Sequence, residues 1–189
     1  MRKTLAITAV AAFLGWTGMA QAGFICGAGY SGSLSPNAGC EIGSTDNDSE
    51  AQVNLDLMFG FDDWVFDAKD DDVDGVNAGL NTVGLSLVGD TISGTWSIVG
   101  NAFTLYSDIM MVFKSGNGEP DTYVGYLLNS TSGDYVSPFT NPANGNFKDI
   151  SHVSIYVRGD GTQVPEPGTM ALLGLGLLSM GLARRRVRK

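Results

Sequence analysis

ISHVSIYVRGDG, residues 150–161, sets the reading of the whole chain. Val153, Ile155 and Val157 recur at every second position, with His152 on the opposite face, and Gly-Asp-Gly follows as a turn. β-branched residues at period two, ended by glycine, predict a strand with one face in a core. The same pattern recurs upstream. QVNLDLMF (52–59) places Val53, Leu55, Leu57 and Phe59 on one face, with Gln52, Asn54 and Asp56 on the other. TVGLSLV (82–88) alternates Val83, Leu85 and Leu87, and TISGTWSIVG (91–100) alternates Ile92, Trp96 and Ile98 with Thr and Ser. DIMMVFKSGNG (108–118) reads as a more fully buried strand running into a Gly-rich turn, and TYVGYLLN (122–129) completes the series. About seven short strands between Gly/Asn/Asp/Ser turns predict an all-β domain, an antiparallel, jelly-roll-like β-sandwich. No capped amphipathic helix of useful length is expected among them, and no long internal repeat suggests a solenoid or propeller.

The ends differ from this body. MRKTLAITAVAAFLGWTGMAQAGF opens the chain with Arg2 and Lys3, an apolar run from Leu5 to Met19, and Ala20-Gln21-Ala22. That is the layout of a secretory signal helix cleaved before Gly23. An exported chain matures under oxidising conditions. Its two cysteines, Cys26 and Cys40, are therefore expected to form a disulfide, worth about 3 kcal/mol in the chain-entropy model. C-x-x-C spacing and nearby histidines, which a metal or redox pair would want, are missing.

Charge is divided by segment. Residues 23–162 carry nineteen acidic side chains against four basic ones, Lys69, Lys114, Lys148 and Arg158. A body near −15 repels nucleic acid and anionic lipid and favours solubility or cation binding. Nucleic acid is excluded as a partner.

Chemistry-bearing residues in the body are few. His152 is accompanied by no nucleophile-elbow or other hydrolase signature, so an enzyme is not expected. Asp62 and Asp63 are adjacent, and on a strand they would point to opposite faces rather than converge across a cleft as a glycosidase pair must. Asp70, Asp72, Asp74 and Gly75 spell D-x-D-x-D-G, the opening of a calcium loop, but Asn81 stands where the closing bidentate Glu belongs. A solvated acidic turn is the plainer reading, with a weak calcium site as the alternative. Trp64, Trp96, Tyr123, Tyr126 and Tyr156 are candidates for a sugar-stacking platform, although strand aromatics more often fill cores.

Residues 164–189, VPEPGTMALLGLGLLSMGLARRRVRK, form the tail, joined to the body by the polar GDGTQV (159–164). No charge falls between Gly168 and Ala183, a stretch that as a helix reaches roughly 24 Å, at or just below spanning length. Arg184, Arg185 and Arg186 would stop transfer and hold the C-terminus in the cytoplasm. The expected organisation is a signal peptide (1–22), an exported β-sandwich (23–162) and a tail (163–189) with one transmembrane helix.

Pro165-Glu166-Pro167, the glycine-containing apolar stretch and the terminal arginines, in that order, make the tail resemble the PEP-CTERM sorting domain of Gram-negative bacteria. The segments SGTWSI, SDIMMVFKSGNG, YVGYLL and ISHVSIYVR also resemble recurring parts of exported PEP-CTERM proteins. The resemblance implies recognition at Pro165, Glu166 and Pro167 by an exosortase, processing nearby, and transient anchoring in the inner membrane. It also implies a final place at the cell surface or in an extracellular matrix, with exopolysaccharide or biofilm. Chemistry would belong to the processing enzyme, and this chain would need no cofactor, calcium being the possible exception. The alternatives are a secreted carbohydrate-binding module and, with less support, a secreted hydrolase. Physically, the two prolines break a helix and favour an extended, accessible backbone beside the membrane.

Overall fold

The computed structural model describes residues 24–116 and 122–159. Along them run β1 (Phe24–Ile25), α1 (Ala28–Ser31), β2 (Leu34–Ser35), β3 (Gly39–Ile42), α2 (Glu50–Leu55), a 3-10 turn (Met58–Gly60) and β4 (Val65–Asp71). There follow β5 (Val76–Gly79), β6 (Ser86–Gly89), β7 (Ser93–Ser97), α3 (Ala102–Leu105), β8 (Asp108–Ser115), β9 (Tyr123–Leu127), β10 (Ser132–Val136) and β11 (Ile150–Arg158). The strands form two antiparallel sheets, a seven-stranded one in the order β1-β3-β9-β8-β11-β4-β5 and a four-stranded one in the order β2-β10-β7-β6. The arrangement is compatible with a β-sandwich, though an uneven one.

Alternation along the central strands explains the layering. Ile109, Met111 and Phe113 of β8, Val124 and Tyr126 of β9, and Val153, Ile155 and Val157 of β11 point into one core. Leu34, Trp96 and Tyr135 of the smaller sheet meet them there. The Phe113 ring joins the layers, 5.4 Å from Tyr126 in its own sheet and 5.9 Å from Tyr135 across the gap. The other face of the larger sheet is covered too. Met110, Val112, Tyr123 and Tyr156 pack there against Val53, Met58 and Trp64 from the 49–64 segment. Two glycines make the cover fit. A Cβ on Gly125 would come within 2.7 Å of Met58 Cε and 2.8 Å of Met110 Sδ, and one on Gly43 within 2.1 Å of the Tyr123 ring. With both faces buried, β8 reads as a continuous apolar run, as its sequence anticipates.

The 52–59 stretch departs from its predicted strand. It folds as α2 and the 3-10 turn, with Val53 fully buried and Leu55 73% exposed, so alternate residues do not share a face. Leu57 and Phe59 take left-handed backbone, at φ 50° and 56°. The buried Glu41 carboxylate compensates by accepting the Phe59 N–H. Burying Met58 completely adds to that compensation.

Cys26 and Cys40 form the disulfide, with Cα atoms 5.5 Å apart, and tie the end of the edge strand β1 to β3 itself. Among the described residues no helix is long and apolar enough to cross a membrane. The signal helix, Pro165-Glu166-Pro167, the apolar tail and Arg184–Arg186 lie outside the described residues.

Candidate functional site

One polar cluster of the domain gathers where the 44–50 segment crosses the outer face of β11. Asp48 Oδ2 lies 2.9 Å from His152 Nε2 and accepts a hydrogen bond from Ser154 Oγ at 3.0 Å. The Asp48 backbone carbonyl accepts the Tyr156 hydroxyl. Period two places His152, Ser154 and Tyr156 on the same side of β11, so one strand face presents three partners to one aspartate. The face of β11 opposite Val153, Ile155 and Val157, where the sequence places His152, is thus covered by the Asp48 segment. Burial opposes ionisation of Asp48, but the hydrogen bonds and charge it meets at His152 and Ser154 outweigh this and hold its carboxyl below the ordinary value. In a nucleophilic relay the serine would hydrogen-bond the imidazole. Here hydroxyl and imidazole both turn to the same carboxylate, an arrangement that fastens a loop.

Asp56 fastens the same cover one turn further on. It accepts from Ser44 N at 2.9 Å, Ser44 Oγ at 2.6 Å, Gln52 Nε2 at 2.7 Å and the Tyr123 hydroxyl. Burial again works against its charge, but these donors together outweigh it and hold the carboxyl pKa below its ordinary value. The Tyr123 hydroxyl is pushed far up by burial and by that carboxylate.

Asp63 does not converge with Asp62; it pairs with Arg158, whose Nε lies 2.7 Å from Asp63 Oδ1. Arg158 also reaches Asp108 and stacks 3.5 Å from the Phe61 ring centroid, closing the end of β11.

The D-x-D-x-D-G stretch is the turn between β4 and β5. Asp72 and Val73 both take positive φ, 56° and 57°, and Asp74 N–H donates to the Asp71 carbonyl at 3.2 Å. Paired positive φ at the two central positions is the geometry of a primed hairpin turn. Asp70 is buried and accepts the Gly75 N–H at 3.0 Å, while Asp72 and Asp74 are exposed. Burial raises the Asp70 carboxyl above its ordinary value. Among the described residues no three His, Cys, Asp or Glu side chains gather as a metal site, so the three aspartates share a turn without sharing a ligand cage.

The proposed aromatic platform is overturned by burial. Trp64, Trp96, Tyr123, Tyr126 and Tyr156 are each no more than 2% exposed, divided between the two cores. Their size makes them core fillers, and none presents a ring to solvent.

Sequence reasoning did not single out Asp48 or Asp56. Both are ordinary loop and helix-end aspartates whose partners on the sheet lie 67 to 108 residues further along the chain, reachable only through the fold. No curated protein and no solved structure matches the chain. The family model that matches is the PEP-CTERM protein-sorting motif, over residues 163–189, directly after the domain just described. It contains the Pro-Glu-Pro triplet and the arginine cluster, and implies export and membrane-associated sorting by an exosortase. The chain thus carries a PEP-CTERM protein-sorting motif at its C-terminus.

Proposed function

We propose that the chain is a non-enzymatic surface or extracellular-matrix protein of a Gram-negative bacterium. It is exported through the inner membrane, held there transiently by its apolar tail, and processed by an exosortase at or near Pro165-Glu166-Pro167. The described β-domain is the delivered payload and comes to rest with exopolysaccharide, in a biofilm or at the cell surface. The sorting motif at residues 163–189 carries this reading.

The domain is consistent with such a payload. Its polar clusters fasten loops onto a doubly covered sheet, and a disulfide closes its first edge. Its last strand, β11, sits between β8 and β4, so the fold is complete only when that strand is in place. Six residues separate Arg158 from Pro165, which puts the recognition triplet close behind the finished domain.

The test is replacement of Pro165, Glu166 and Pro167 by alanine in the full chain, followed by fractionation and intact-mass measurement. The variant is expected to accumulate as uncleaved precursor in the membrane fraction. Processing and release like those of the unmodified chain would refute the sorting role.

A further inference from the structure

The buried tryptophans and tyrosines leave one exposed aromatic among the large apolar side chains of the described residues, Phe147 at 55%. Its position is built. Thr140 and Phe147 close a hairpin through a β-bridge, with Asn141 N–H donating to the Asn146 carbonyl at 2.8 Å and Gly145 N–H to the Asn141 carbonyl at 2.7 Å. Phe139, fully buried in the main core, anchors the base, and Ser137 Oγ donates to the Lys148 carbonyl at 2.5 Å. A ring presented outward by a hydrogen-bonded hairpin is costly to leave in water and loses little entropy when a ligand covers it.

Beside the ring lies an open cleft of about 620 Å³, whose lining includes Asn141, Asn144, Asn146, Asp149, Asp72 and Lys148 as well as Phe147. Two of the amides are fixed by their own turns. Asn141 Oδ1 accepts Ala143 N–H at 2.9 Å and Asn144 Oδ1 accepts Asn146 N–H at 3.0 Å. Each keeps its NH₂ group for a ligand. Asp149 is steadied by Thr91 Oγ1 at 2.5 Å.

We propose that this hairpin and cleft bind an uncharged polysaccharide, the Phe147 ring stacking on the C–H face of one sugar while the neighbouring amides and Asp149 bond its hydroxyls. The proposal rests on the polysaccharide association put forward above and gives it a place. Three features select the ligand. The electron-rich ring face attracts the weakly positive C–H groups of a pyranose. Amides and carboxylates, offering donors and acceptors side by side, match vicinal hydroxyls. A body near −15, with Asp72 and Asp149 outnumbering Lys148 in the cleft itself, disfavours uronate or sulfated chains. A protein partner would want an apolar centre of interface size, whereas this lining offers one exposed apolar ring, Ile150 being buried, among mostly polar groups.

Affinity electrophoresis of the mature exported protein tests the site, with gels containing dextran, galactomannan, hydroxyethyl cellulose or, as the anionic contrast, alginate. At least one neutral polymer is expected to retard the protein and alginate is not. Phe147→Ala is expected to bind about tenfold more weakly, with an unchanged melting temperature because the ring is exposed, and Phe147→Trp to bind at least as well as the parent. No retardation by any neutral polymer, retardation by alginate alone, or equal retardation of parent and Phe147→Ala would overturn the proposal. A failure of sorting appears instead as altered processing of the Pro-Glu-Pro variant, so the two readings fall separately.

Discussion

Asp48 shows how one side chain can hold a layer in place. Its carboxylate and carbonyl take hydrogen bonds or close contacts from three residues of β11, and its side chain is 14% exposed. A carboxyl whose folded value lies below its unfolded one contributes stability above the ordinary value near 3.8, and that contribution is lost as pH falls through the lowered one. Asp56 has the same sign. Glu41 and Asp70 have the opposite sign, since burial raises both, and their strain is relieved as they take up protons on the way down from neutral pH. The expected outcome is that Asp48→Ala costs about 2 kcal/mol at neutral pH, and that the cost shrinks below roughly pH 4. Urea midpoints of both proteins across that range measure it. A cost independent of pH would show that Asp48 acts through packing alone.

At the scale of elements, the β4–β5 hairpin is the most informative. Its turn puts Asp72 and Val73 at positive φ, a region where Asn and Gly are favoured and a β-branched residue is rare. Four carboxylates, Asp70, Asp71, Asp72 and Asp74, crowd the same turn. Asp72→Asn keeps the turn-forming side chain and removes one charge, so it is expected to stabilise the protein by about 0.5 kcal/mol. Millimolar calcium is expected to leave the melting temperature of the parent unmoved, because the buried Asp70 turns to its own hairpin rather than toward Asp72 and Asp74. A calcium-dependent rise that Asp72→Asn abolishes would establish a cation site there instead. The 49–60 segment teaches a different point. Ser49 and Gln52 stand at capping-box spacing, and Glu50 lies in the first turn, so a helix start is written in the sequence. The Val53–Phe59 alternation masks it. The helix lies over the larger sheet and needs only Val53 on its buried side, which leaves Leu55 free to face water.

For the whole molecule, excess negative charge opposes compactness. Most of the acidic side chains are on the surface, and the four body cations answer few of them. Raising sodium chloride from about 10 mM to about 300 mM shortens the screening length from roughly 30 Å to roughly 6 Å. The melting temperature is therefore expected to rise by about 3 °C. An unchanged value would mean that the charges lie too far apart, or are too well paired, to strain the fold. The same acidity would suit the proposed payload, keeping it soluble beside an anionic envelope.

The sequence by itself determined the sorting tail, the β-rich class, the buried run of β8 and the alternation of β11, because each is a local pattern of residue types along the chain. Cys26–Cys40 was legible for the same reason, as the lone pair of cysteines in an exported chain. Only the tertiary structure decided which face each pattern meets. Trp64, Tyr123 and Tyr156 are core residues because α2 and the 3-10 turn cover the sheet's second face, which no single-strand period reveals. Asp48 and Asp56 became fasteners, and Phe147 became the exposed ring, through contacts and gaps between distant segments. Periodicity reports how often a side chain turns inward; what it finds there depends on the rest of the chain.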